Sequence, residues 1–386
     1  MKAKSLNIFF VSIALLIAGC IKPFTPSGLD SMESLIVIEG DIMQNDTTRI
    51  TISRSLGVNE EGGVDYISTS TVWVESEKGT KYNAVSAVRR NKPIFLINTI
   101  GIDPALKYKL CIKIQSKLYE SELIPVLVSP PIDSIGYTKD TEKMSATFYV
   151  NTHDPDNKTT YYRWFFNENW EIQSQFQSLF EYQPATKTVI SIPFEKNRYY
   201  CWSSGTSSSV LIASTSGLSA DIVYQKPLVS MGSSDRRISA LYSMELFQMA
   251  ISEEAYKYWD NIQKNSDQVG GIFSPQPSEI KGNIKCISNP SEKVIGYISA
   301  AKAAKKRIFV NGKEIGIYQY PTNCEVVFIN KDNPLPIASM WDKGLDVTSY
   351  TGDPPFGDSY WVSKRCVDCR TYGTKSKPSF WPNDHI

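Results

Sequence analysis

Few residues in this chain have the type and spacing to do chemistry, and the cysteines stand out first. Cys366-Val367-Asp368-Cys369 has the spacing of a thiol redox pair or of half a zinc knuckle. A zinc knuckle needs a second such pair, and a redox dithiol sits in a βαβ setting; neither surrounds this motif. Structural disulfides are the expectation, with Cys201 and Cys324 as partners for Cys366 and Cys369, because these four lie in the loop-rich half of the chain. Four cysteines allow three pairings, and spacing does not choose among them.

The remaining candidates point to turns and cores. His153 and His385 are the only histidines, which argues against a histidine base or an imidazole-bound metal. Asp154, Asp156 and Asn157 resemble the start of a calcium loop, but Lys158 stands where another oxygen ligand is needed, and no late glutamate follows; a turn opening at Asp-Pro explains them. Asp353 and Asp358 flank a Pro-Pro-Phe-Gly stretch, and paired carboxylates can hydrolyse glycosides, yet nothing in the sequence sets their separation. There is no Gly-x-Ser-x-Gly elbow, P-loop or dinucleotide glycine pattern. The expectation is a protein that is not an enzyme, with no cofactor and no metal; a hydrolase is the distant third reading. Lys and Arg number 41 against 40 acids, a net charge of +1 without the excess that marks a nucleic-acid partner.

The most specific chemistry is at Cys20. Lys2 and Lys4 precede a short apolar run from Ile8 to Leu16, which ends in Ile17-Ala18-Gly19-Cys20. That order predicts a lipoprotein signal peptide over 1–19, cleaved once the Cys20 thiol is lipidated. Acyl chains would then hold the protein in a lipid bilayer, each buried CH₂ contributing about 0.8 kcal/mol. Residues 20–32, with their Pro, Ser and Gly, read as a tether.

The elements that must carry these residues read as mainly β. From Leu35 to Gly40, Arg49 to Arg54 and Thr71 to Glu75, short β-branched runs alternate with turn signals. Tyr108, Leu110, Ile112 and Ile114 alternate with lysines, and Cys111, in phase with the lysines, is expected on the outer face and not in the core. The reading is of tandem β-sandwiches, immunoglobulin-like or fibronectin III-like. An N-terminal sandwich spans 33–128; a fibronectin III-like domain spans 129–265, with a long insertion at about 171–234 and a closing helix at 252–265; a small β-containing, disulfide-bearing region spans 266–386. Ser252 caps the helix, and Ala255, Trp259 and Ile262 share one face. In Tyr161-Tyr162-Arg163-Trp164-Phe165-Phe166, alternation divides the rings between two faces, of which at least one is core; a structural role outweighs a sugar-stacking platform.

Across these elements, Leu35 to Gly40, Ser53-Arg54-Ser55, Pro131 to Ser134, Tyr162-Arg163-Trp164, Cys201-Trp202, Ser252 to Trp259, Gly282-Asn283-Ile284, Val294 to Tyr297, Cys366 to Arg370 and Lys377 to Trp381 occur in an order that resembles a family of Bacteroidota outer-membrane lipoproteins catalogued as a domain of unknown function. The resemblance covers nearly the whole mature chain and carries over no catalytic residue. It implies an outer-membrane, lipid-anchored protein, surface-exposed in preference to periplasm-facing, often encoded beside a TonB-dependent transporter and acting as its accessory or lid. Surface lipoproteins of that lineage often carry an acidic run directly after the lipidated cysteine, where this chain has Ile21-Lys22-Pro23. The expected partner is a TonB-dependent outer-membrane receptor. The alternative is a free-standing surface module in which exposed aromatics such as Tyr200 and Trp202 bind glycan or protein directly.

Overall fold

The computed structural model describes residues 34–55, 63–89, 91–267, 281–320, 324–332, 337–352, 354 and 357–383. The predicted signal peptide and tether, with Cys20, lie outside them, as do Asp353 and His385.

Period-two alternation builds the first sandwich. Its strands are β1 (Ile36–Glu39), β2 (Ile42–Met43), β3 (Thr47–Arg54), β4 (Asp65–Tyr66), β5 (Thr71–Ser76) and β6 (Lys81–Arg89). They continue as β7 (Lys92–Asn98), β8 (Lys107–Ile114), β9 (Lys117–Ser121), β10 (Ile124–Pro125) and β11 (Leu127–Val128). One curled sheet runs in the order β9-β8-β5-β6-β7-β3-β1. On β8, Tyr108, Leu110, Ile112 and Ile114 enter the core beside Ile50, Ile52 and Phe95. Cys111 does share the lysine face, but it is fully buried there. Its strand neighbours on that face are Trp73 and Glu120, and Lys109 bonds Glu120 at 2.8 Å, so long side chains roof the small one.

The second sandwich packs two sheets face to face. Its strands are β12 (Ile132–Asp140), β13 (Ser145–His153), β14 (Tyr161–Gln173), β15 (Phe180–Gln183), β16 (Thr188–Ser191) and β17 (Tyr200–Thr206). They are followed by β18 (Leu211–Ser214), β19 (Ile222–Gly232), β20 (Leu241–Ala250) and the helix α1 (Glu253–Asp267). β12-β13-β19 faces a sheet in which β14 is flanked by β17 and β18 on one side and β20 on the other. Tyr162, Trp164 and Phe166 point into this core with Phe148, Tyr242 and Leu246. The expected insertion therefore needs redrawing: β17, β18 and β19 are integral strands of the sandwich, and only the stretch around the β15–β16 hairpin stands apart from it. Serine-rich strands carry little hydrophobic signature, which is why this segment reads as loop. At α1, the Ser252 hydroxyl accepts the Ala255 N–H at 3.2 Å.

The region beyond 266 is not one separate unit. β21 (Ile284–Cys286) pairs with β9, and β22 (Val294–Ile295) runs parallel to β1, completing the first sandwich's sheet at both ends. β23 (Ala300–Lys302) lies parallel between β2 and β11, and β24 (Ala304–Asn311) joins β20 in the second sandwich. A return segment thus stitches both domains. The remaining strands β25 (Val327–Ile329), β26 (Leu345–Thr351) and β27 (Asp358–Ser363) form a three-stranded sheet. It packs on the β15–β16 hairpin through Tyr182, Val189, Val347 and Trp361.

Where the first sheet closes, Gly282 lies so near Gly296 that a Cβ would overlap the Gly296 carbonyl oxygen. Gly282→Ala should therefore force backbone movement and lower stability by about 1–3 kcal/mol, read as a reduced urea midpoint with unchanged slope.

Candidate functional site

The residues that alternate away from the second core form one wall of a cleft of about 820 Å³ between the sandwiches. β14 contributes Arg163, Phe165 and Asn167, β20 Glu245 and Phe247, and β24 Lys305. The opposite wall comes from the β2–β3 turn and from the β6–β7 hairpin, which brings Ala87, Val88, Ile94 and Leu96. Phe165 and Phe247 stack at 4.8 Å with planes 7° apart, and the Lys305 ammonium lies 5.1 Å from the Phe247 ring centroid.

Two ion pairs cross the seam inside this cleft. Arg163 Nη1 donates to Asp41 Oδ2 at 2.6 Å, while its guanidinium stacks 3.8 Å above Trp259 of α1. Asp41 is buried, and its other oxygen accepts the Ser299 N–H at 3.2 Å. Lys305 pairs with Asp46. Burial works against the charged form of Asp46, but Lys305, the Thr47 N–H and Arg49 outweigh it and hold its carboxyl below the usual range. These guanidinium, ammonium, carboxylate and ring groups can bind and orient a ligand; they do not form a nucleophile and base pair.

Tyr200 and Trp202 are elsewhere. They lie on β17 toward the far end of β14 and are half-buried, not exposed, because the segment 372–375 crosses them. Trp202 and Thr374 exchange backbone hydrogen bonds at 2.8 and 2.9 Å, and Lys375 Nζ bonds the Tyr200 carbonyl at 2.7 Å. Alternation alone could not show that the C-terminal segment covers this strand.

Cys201 pairs with Cys369 and Cys324 with Cys366. Nearby, Arg198 and Asp346 form a fully buried ion pair, with Asp368 3.5 Å from the same guanidinium nitrogen. Burial pushes the Asp346 carboxyl up against the pull of Arg198. The partners are far apart in sequence, and no local signal announces them. Asp154 serves as a turn residue, its oxygens accepting the N–H groups of Asp156, Lys158 and Thr159. His153 bonds Asp133 at 2.8 Å on the surface. Asp358 takes the Lys331 N–H at 2.9 Å, while Asp353, its expected carboxylate partner, lies outside the described residues. Among the described residues, no group of three or more His, Cys, Asp or Glu side chains could hold a metal, and no helix is long and apolar enough to cross a membrane.

Tandem sandwiches stitched by a returning segment, with a charged and aromatic cleft at their seam, define a mainly β architecture. The model of the family described as domain of unknown function DUF4249 matches residues 21–307, and the chain belongs to that family. The match covers both sandwiches and ends inside β24, before the disulfide-bearing sheet. No curated protein matches the chain.

Two outcomes follow from these environments. At pH 8 the native protein should resist alkylation: Cys111 and Cys286 are buried, and burial, followed by Glu120, pushes the Cys111 thiol up to about 12. Mass mapping should recover the 201–369 and 324–366 links, with Cys111 and Cys286 labelled only after denaturation. Asp46, whose folded pKa is lowered, contributes fully above about pH 5 and loses its contribution as pH falls through that lowered value. The stability difference between wild type and Asp46→Asn should be on the order of 1 kcal/mol at neutral pH and shrink toward zero in acid, read by urea titration at several pH values.

Proposed function

We propose that this chain is a non-catalytic lipoprotein of the Bacteroidota outer membrane, anchored through acylated Cys20, that serves a TonB-dependent nutrient transporter as an accessory or lid. The observation that carries the reading is the cleft at the seam. A lid must hold a ligand and change its hold when it moves, and a site walled by two sandwiches couples binding to their relative position. The signal-peptide pattern ending at Cys20 supplies the anchor, and the tether supplies the reach. The chain turns its surface toward the exterior, where nutrient is captured. Recognition is by binding and gating, and no bond of the ligand is broken. The alternative of a free-standing module would use Tyr200 and Trp202, which are half-buried beside the C-terminal segment.

Cys20→Ala should move the protein out of the membrane fraction, and unchanged fractionation would count against lipidation. Purification of the native protein from outer membranes in mild detergent should recover a stoichiometric large β-barrel. Absence of a barrel at any detergent strength would shift the reading to an independent binding module.

A further inference from the structure

We propose that the cleft takes an extended, acidic polypeptide segment, which adds as a strand to the open edge of β6; this rests on the reading of the cleft as the capture site. The first observation is the pairing of β6. Beside β5 it pairs only along Lys81–Asn83; from Ala84 to Arg89 its registered partner is β7. Among the described residues no strand lies on the other side of that second stretch. Val88 stands opposite Pro93, which has no N–H to give, so this is a non-hydrogen-bonded position of the antiparallel pair. Alternation then turns the N–H and C=O of Val88 and Ser86 away from β7.

That open edge meets the cleft. A strand shows every second residue to a cavity on its face, but Ala87, Val88 and Arg89 line this one consecutively, as backbone seen along its edge does. Val85 and Val88 are 70% and 73% exposed. Native edge strands are usually blunted with charge or proline or covered, and an open edge bearing exposed valines is suited to a strand from another segment.

The charge of the walls selects what that strand carries. The three carboxylates in the lining are already engaged, Asp41 by Arg163, Asp46 by Lys305 and Glu245 by Arg307 at 3.0 Å. Arg49 and Arg89 raise the positive charge of the lining above its negative charge. The Arg49 side chain is 45% exposed; its Nη1 donates to the Thr47 carbonyl at 2.9 Å and lies 3.9 Å from Asp46, whose close partner is Lys305. An added strand places alternate side chains about 7 Å apart on one face; the register puts Arg49, Arg89, Ile94 and Leu96 on one side of the sheet, so acidic residues on that side meet the cations while the residues between them lie on the opposite side with Val88.

The test uses the purified mature chain and a fluorescent, capped octapeptide of alternating Glu and Val, followed by anisotropy. Saturable binding is expected, with no saturation by the counterpart carrying Lys for Glu. Val88→Pro removes an N–H that β7 does not use, and it should weaken binding about tenfold or more, whereas Val88→Thr should bind as the wild type does. Arg49→Glu should weaken binding by a similar factor. Methylating alternate peptide nitrogens of the probe tests the same hydrogen bonds without altering the protein, and should also cost about tenfold. Unchanged affinity for the methylated peptide would overturn strand addition, and equal binding of the Lys peptide would overturn the selection of an acidic segment. The titration contains no receptor, so it is independent of whether a barrel co-purifies.

Discussion

Asp41 is the residue on which the arrangement of the two sandwiches turns. One oxygen accepts from Arg163, on the face of β14 turned away from the second core; the other accepts the Ser299 N–H of the returning segment. Asp41 itself belongs to the first sandwich, and Arg163 carries the contact onward to α1 by stacking on Trp259. Three pieces of chain remote in sequence meet on one buried carboxylate, and α1 joins them through Arg163. Removing the Arg163 charge would leave the Asp41 carboxylate buried without its cation, which typically costs about 3–5 kcal/mol, whereas the intact pair contributes little net stability. Its consequence is geometric: it fixes where the sandwiches meet, and so where a cleft can open.

The returning segment from Ile284 to Asn311 depends on that meeting point. β21 and β22 supply opposite ends of the first sheet, β23 bridges β2 and β11, and β24 extends the second sheet. None of these pairings forms until chain from far upstream is already in place, so the topology is dominated by non-local contacts. Such folds close slowly, because loop entropy is lost before the contacts compensate it. The small sheet of β25, β26 and β27 faces a different problem. Its apolar cluster is limited; the Cys324–Cys366 disulfide joins its two flanks across 42 residues, and the Cys201–Cys369 disulfide ties the segment after it to β17 across 168 residues. In the loop-entropy model each contributes about 3–5 kcal/mol by restricting the unfolded chain.

What could be read from the sequence follows the reach of each physical signal. The inward set Tyr108, Leu110, Ile112 and Ile114 was legible because alternation is local, and so was the Ser252 cap. The same alternation placed Cys111 on the correct face of β8 and gave the wrong exposure, since its cover comes from Trp73 and Glu120 on neighbouring strands. Tyr200 and Trp202, expected exposed, are half-buried for the same reason, their cover arriving from residues 372–375. The cleft was not legible at all. Alternation separated Arg163 from the face of Tyr162 and Trp164 without deciding which face is core, and its partner is 122 residues away. Pairing between strands, and not periodicity within them, decides which outward residues meet.

That distinction also explains why the cleft can differ in character from the cores it separates. On β14, Tyr162, Trp164 and Phe166 are confined by Phe148, Tyr242 and Leu246, and a change of one methylene there is felt throughout the core. Arg163, Phe165 and Asn167 occupy the same strand at the alternate positions, outside that core. Arg163 is held by Asp41, and Phe165 by Phe247, while Asn167 is half-buried between the walls. The strand thus separates the two demands by parity: even positions carry the fold, odd positions carry the site. The β6–β7 hairpin leaves β5 after Asn83, which keeps the cleft open on that side. Had β5 followed β6 to its end, the first sheet would have one more complete ladder, and the cleft would lose the backbone edge that sets it apart from an ordinary seam between domains.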